Sequence, residues 1–200
     1  MFKNVVFDFG QVLVRFSPEY ITAPYVGDEK DRALVAKALF DRALWDPLDA
    51  GTITDEEVVA SAAARLPERL RENAEKAYYN WPWRLPEIEG MRKLAVRLKE
   101  MGARLFVLSN ISTYFAAHRD AAPILDLMDG CVFSAVCGHT KPGAAIFEHL
   151  CSTYSLDPAE TVFIDDNPAN AAGAEAFGIS AYRFDGDVEK LSEFLLPRVL

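Results

Sequence analysis

The chain has 200 residues, of which 50% are hydrophobic and 26% charged, enough apolar material for one sizeable core plus a small accessory unit. A formal net charge of -9 and a pI near 4.9, with no lysine or arginine cluster, argue against nucleic acid and against an anionic membrane surface. No apolar run approaches the roughly eighteen residues of a membrane span, no leader pattern opens the chain, and Cys131, Cys137 and Cys151 lack disulfide or metal spacing, so the expected setting is cytoplasmic with reduced thiols.

Asn4-Val5-Val6-Phe7 reads as a buried strand that delivers Asp8 into the turn Phe9-Gly10-Gln11. A carboxylate there lies at the carboxyl end of a strand, the edge of an open α/β sheet where ligands bind, although a strand-end Asp is also a common cap. Over residues 16–86 the spacing turns helical, too long a segment for a simple crossover, and predicts an inserted all-helical cap. Leu34, Val35, Ala38 and Leu39 mark one apolar stripe. Thr54 and Glu57 form a capping box opening a second helix, and Leu70, Ala74, Ala77, Tyr78 and Trp81 mark a third. Trp45, Asp46, Asp49 and Gly51 read as a polar, turn-rich loop between cap helices, and Pro82 and Pro86 mark the return hinge.

From Glu89 the pattern alternates. A helix closed by Gly102 precedes a strand at 104–109 that ends in Ser109 and Asn110, followed by a strand at 131–136. Lys141 and Pro142 introduce a helix at 143–154; a strand at 161–165 ends in Asp165 and Asp166; a helix ended by Gly178 leads to a strand at 179–184. This βαβ series predicts an α/β fold with a Rossmann-like three-layer core and parallel sheet, residues 1–15 and 87–200, plus the small helical cap, 16–86. With the first strand between those ending at Ser109 and Asp165, four motifs meet at one crevice.

Together the motifs supply an anionic nucleophile, neutral donors, a fixed cation and a hard metal site, the inventory of phosphoryl transfer. Adjacent carboxylates after a buried strand repel unless compensated, which favours a divalent ion such as Mg2+ over simple helix capping. Pro142 holds Lys141 in a defined turn, and Ser109 with Asn110 can both cap a helix and bind phosphate. His118, His139 and His149 share no ligand spacing and are expected to be structural or at the surface; His139 alone lies near a site residue, which makes it a candidate substitute proton donor.

The ordered set of Asp8, Ser109 with Asn110, Lys141, and Asp165 with Asp166 resembles the haloacid dehalogenase-like hydrolase superfamily over essentially the whole chain. The resemblance implies that Asp8 attacks phosphorus, Ser109 and Asn110 bind phosphoryl oxygens, and Lys141 holds nucleophile and phosphate together. It implies Mg2+ bound by Asp8, the Gly10 carbonyl and Asp166, with Asp165 beside it. Related caps reach into the site where Trp45 and Asp49 stand, which makes these candidate substrate contacts, with an ordinary connector as the alternative. One departure matters: the family's phosphatases carry a second Asp two residues after the nucleophile as general acid and base, and here that position is Gly10. The Asp-x-Gly-x-Val form is similar to a branch that includes a bacterial glucose-1-phosphate phosphatase. The expected activity is that of a magnesium-dependent phosphatase acting on a small phosphorylated metabolite, a sugar phosphate first, in a monomer or homodimer. A 2-haloacid dehalogenase and a non-catalytic small-ligand-binding protein are the alternatives.

Overall fold

The computed structural model describes residues 1–199. β1 (Asn4–Phe7) is buried at every residue, as its apolar run requires, and leads into the insertion. The insertion comprises α1 (Pro18–Thr22), α2 (Glu29–Leu39), α3 (Arg42–Asp49), α4 (Asp55–Arg65) and α5 (Glu68–Tyr79). The chain then forms α6 (Met91–Glu100), β2 (Arg104–Ser109), α7 (Thr113–Ala117), β3 (Gly130–Phe133), α8 (Ser134–Cys137) and α9 (Ala144–Tyr154). β4 (Thr161–Asp165), α10 (Pro168–Phe177), β5 (Ser180–Arg183) and α11 (Val188–Leu195) complete it.

The strands form one parallel sheet in the order β3-β2-β1-β4-β5, with Val6 opposite both Phe106 and Phe163. The strand period of two divides the core cleanly. Val5, Phe7, Leu105, Val107, Val162 and Ile164 face one cluster, shared with α6 and α11; Val6, Phe106, Leu108 and Phe163 face the other, shared with α9 and α10. Both faces are therefore covered, the three-layer α/β arrangement expected of a parallel sheet. Because the chain runs outward from β1 to β3 and then returns to β4 on the other side, the strand order reverses beside Asp8.

A third cluster belongs to the insertion, where Val35, Leu39, Leu48, Val58, Ala62, Leu70 and Tyr78 pack together. The Thr54 capping box forms as expected, with reciprocal bonds to Glu57. Leu34, by contrast, is 49% exposed, because the buried stripe of α2 begins one position later at Val35. Trp81 lies beyond α5 in a 3-10 turn, since Pro82 disfavours helical backbone at the residue before it. The expected loop at Trp45–Gly51 is mostly helix: Asp41 caps α3 by accepting the Ala43 N–H, and only Ala50 and Gly51 lie outside it. The expected strand at 131–136 stops at Phe133, where Ser134 turns its hydroxyl to other partners and opens α8. α11, unanticipated, starts at the Asp187 cap and buries Leu191 and Leu195. The cysteines are free, Cys151 buried and the other two half-buried. Among the described residues no helix is long and apolar enough to cross a membrane.

Candidate active site

The polar groups that strand ends deliver all reach one edge of the sheet. Asp8 continues β1 by one residue, its N–H donating to the Ile164 carbonyl at 2.8 Å, while the Phe9 N–H donates to Asp8 Oδ1 at 2.7 Å and fixes the carboxylate. Asp165 ends β4 fully buried, and donors engage both of its oxygens. The Asn167 N–H donates to Oδ1 at 2.8 Å, and Asn170 Nδ2 reaches both oxygens, at 3.2 and 3.0 Å. Between the two acids lies Lys141 Nζ, 2.8 Å from Asp8 Oδ1 and 2.8 Å from Asp165 Oδ2, on a side chain only 1% exposed.

Lys141 is held from behind. Asn110 Oδ1 accepts the Lys141 N–H at 2.8 Å, and Asn110 Nδ2 donates to the Lys141 carbonyl at 3.0 Å, so one amide grips both sides of that backbone. The Lys141–Pro142 peptide bond is cis. Ser109 is buried at the end of β2 and its hydroxyl has no hydrogen-bond partner among the described residues, which leaves it available to a ligand.

Three carboxylates, those of Asp8, Asp165 and Asp166, offer oxygens all within 4.8 Å of one another. One lysine does not neutralise them. Burial pushes Asp8 up to about 6 against the attraction of Lys141, and Asp165 adds to the rise. Asp166 is raised by burial and by Asp165. Burial disfavours the Lys141 charge, but Asp8 and Asp165 outweigh it and hold the ammonium above its ordinary value. Asp8 is thus ionised at neutral pH, Lys141 is fixed as a cation, and residual negative charge suits a hard divalent ion.

A cavity of about 610 Å³ opens above this cluster. Asp8, Gly10, Ser109, Asn110, Lys141 and Asp166 line its core side. The insertion lines the other with Arg42, Trp45, Asp46 and Asp49, at the i, i+3, i+4, i+7 spacing of one face of α3. Trp45 and Asp49, candidates that the resemblance implied, thus line the cavity, though from a helix rather than a loop. Trp45 has a structural duty as well, donating Nε1–H to the Leu39 carbonyl at 2.7 Å and packing on Phe16, Phe40 and Trp81. His139 is exposed and lies outside the cavity lining.

Two contacts fix the end of α3 against the core. Ser134 Oγ accepts the Ile111 N–H at 2.9 Å and donates to the Asp49 carbonyl at 2.5 Å. Gly51 has φ +71, and a Cβ there would stand 2.9 Å from the Ala135 carbonyl oxygen, so glycine permits both the turn and the close approach. The Asp49 carboxyl itself has no hydrogen bond or ion pair among the described residues, and its Oδ1 is buried without a partner. Burial pushes Asp49 up to about 7; Arg42 opposes the rise, while Asp46 and Asp8 add to it. Asn170, Ser134 and Arg42 were not singled out by sequence. Only Asn170 left a signal, as a buried amide in the first turn of the helix after Asp165.

The chain matches the haloacid dehalogenase-like hydrolase family over residues 2–178. A sesquiterpene phosphatase of Aspergillus oryzae is 26% identical over 89% of this chain and 87% of its own. A D-ribitol-5-phosphate phosphatase of Bacteroides thetaiotaomicron is 24% identical over 92% of each. Among solved structures, a magnesium complex of a haloacid dehalogenase family enzyme from Bacteroides thetaiotaomicron superposes with TM-score 0.74 at 21% identity, covering 98% of each chain. The L-2-haloacid dehalogenase of Xanthobacter autotrophicus with covalently bound chloropropionic acid gives 0.66 at 19%, covering 90% of this chain and 76% of that one.

Proposed function

Since the chain belongs to the haloacid dehalogenase-like hydrolase family, we propose that it is a magnesium-dependent phosphatase acting on a small phosphorylated metabolite, with a sugar phosphate as the first substrate class to test. The observation that carries this reading is Lys141 Nζ set 2.8 Å from both Asp8 and Asp165 at the floor of the cavity. A lysine in that position keeps Asp8 ionised and aligned, and it offers positive charge to a phosphoryl group approaching it. The Asp8 carboxylate attacks phosphorus to give an aspartyl phosphate, Ser109 contributes its unpartnered hydroxyl to the phosphoryl oxygens, and water then releases phosphate. Asn110 acts chiefly by gripping Lys141.

Asp8, Asp166 and the Gly10 carbonyl would hold magnesium, with Asp165 beside them committed mainly to Lys141 and Asn170. When bound, the ion would neutralise phosphoryl charge. In this reading residues 1–15 and 87–200 form the catalytic core and 16–86 the cap, whose Trp45 and Asp49 contact the rest of the substrate. The two phosphatase relatives support the reaction class. The carboxylate cluster weighs against dehalogenation, which needs no metal. The test is phosphate release from an activated aryl phosphate: turnover that requires magnesium, and a loss of about a thousand-fold or more in Asp8→Asn with unchanged circular dichroism. Chelator-insensitive turnover, or an active Asp8→Asn, would overturn it.

A further inference from the structure

The proposed reaction lacks a proton donor. An alkoxide leaving group needs one, and the residue two after Asp8 is Gly10, with no side chain to supply it. The cavity contains another acid on its opposite wall. Asp49 projects from the last turn of α3, on the same helical face as Arg42, Trp45 and Asp46, and shares the cavity with Asp8 and Lys141. Of the other cavity carboxyls outside the lysine pair, Asp166 belongs to the acidic cluster itself and Asp46 is paired with Arg42.

Among the described site acids, Asp49 is the one with a buried carboxyl oxygen that has no partner. Nothing donates to its carboxyl, and the nearest cation on its helix, Arg42, is engaged by Asp46 at 3.0 Å. Asp8 and Lys141 face it from the core with opposed effects, and Tyr78 of α5 lies within its field. A buried carboxyl without donors favours its neutral, protonated form, which is the form an acid catalyst needs. Its backbone is fixed by the Ser134 hydroxyl and by the close contact at Gly51, so it is presented from a defined position. A carboxyl serving only to fix the fold would have a partner.

Resting on the phosphatase reading above, we propose that Asp49 is the catalytic general acid and base of this enzyme, supplied by the insertion in place of the position that Gly10 leaves vacant. As the Asp8 oxygen bonds to phosphorus, the bond from phosphorus to the ester oxygen breaks and the Asp49 proton passes to that oxygen, so a neutral alcohol leaves. The Asp49 carboxylate then takes a proton from the water whose oxygen attacks the aspartyl phosphate. Cleavage of that bond releases inorganic phosphate and restores both acids. The rise of Asp49 to about 7 keeps a working fraction protonated near neutrality.

The experiment measures kcat/KM with magnesium across phosphate monoesters running from activated aryl to alkyl leaving groups, for the wild type and Asp49→Asn. The wild type should show a shallow dependence on leaving-group pKa, with alkyl turnover falling above about pH 7 as Asp49 ionises. Asp49→Asn should lose about a hundred- to ten-thousand-fold on alkyl esters, with the loss shrinking steadily as the leaving group becomes more activated. Equal losses along the series, or no loss anywhere, would overturn the assignment. A steep wild-type dependence would do the same without any variant. If the wild type hydrolyses no ester, or Asp8→Asn remains active, it is the phosphatase reading that fails.

Discussion

The two walls of the cavity solve opposite electrostatic problems. On the core wall the nucleophile and its neighbours are paired: Lys141 sits between Asp8 and Asp165, Asp165 takes donors on both oxygens, and Asn110 grips the lysine backbone from two sides. On the insertion wall Asp49 is left unanswered. The core wall is preorganised for charge that is constant through the reaction, whereas the insertion wall holds a proton that must move. Rigid pairing suits the first task, and a paired Asp49 could not perform the second.

The largest effect expected from breaking this contrast is at Lys141. Lys141→Met leaves Asp8 and Asp165 facing each other in the interior without a cation, and should lower stability by about 3–5 kcal/mol in denaturant unfolding. A loss below about 1 kcal/mol would show that the pair is neutralised by protonation rather than by the lysine. Next is Gly51→Ala, which forces a Cβ toward the Ala135 carbonyl at a left-handed backbone position; it should cost about 1–3 kcal/mol and loosen Asp49. Activity on alkyl phosphates should then fall more than activity on activated aryl phosphates. An equal fall would mean that Gly51 supports the site as a whole.

The smallest structural effect is expected at Gly10, whose φ lies outside the left-handed region and whose absent Cβ would meet nothing within 4 Å. Gly10→Asp should change stability by no more than about 0.5 kcal/mol. Placed in the Asp49→Asn background, it should restore part of the lost alkyl-ester turnover. Failure to restore it, with the fold intact, would show that a carboxyl two residues after Asp8 cannot reach the leaving oxygen in this turn.

The same contrast explains what the amino-acid pattern discloses. β1, β2 and β4 are legible because strands buried on both faces are unbroken apolar runs, and the charged or polar residue ending each stands out. Asp8, Ser109 and Asp165 follow from that, whereas Lys141, which ends no strand, is marked by the Pro142 that follows it. α3 is not legible, because Pro47 and three aspartates within Asp41–Asp49 read locally as a turn, while burial of Leu48 and packing of Trp45 on Phe16, Phe40 and Trp81 impose the helix. The isolation of the Asp49 carboxyl cannot be read locally either. It depends on where Ser134, 85 residues along the chain, draws the end of α3 against the core.

The insertion leaves and rejoins the core through paired chain: the Arg15 N–H donates to the Pro86 carbonyl at 2.8 Å, and the Ile88 N–H to the Leu13 carbonyl at 3.0 Å. This closure bears on how the sheet assembles. β1 must find β2 across a separation of about a hundred residues, Asn4 opposite Arg104. Once the helices between Arg15 and Pro86 have condensed and their ends are tied, the effective loop shrinks to roughly thirty residues, which lowers the chain entropy lost on pairing by about 1 kcal/mol. The element that supplies the proposed acid would therefore also shorten the search by which the central strands meet, and a helical insertion that folds early would speed formation of the sheet beneath it.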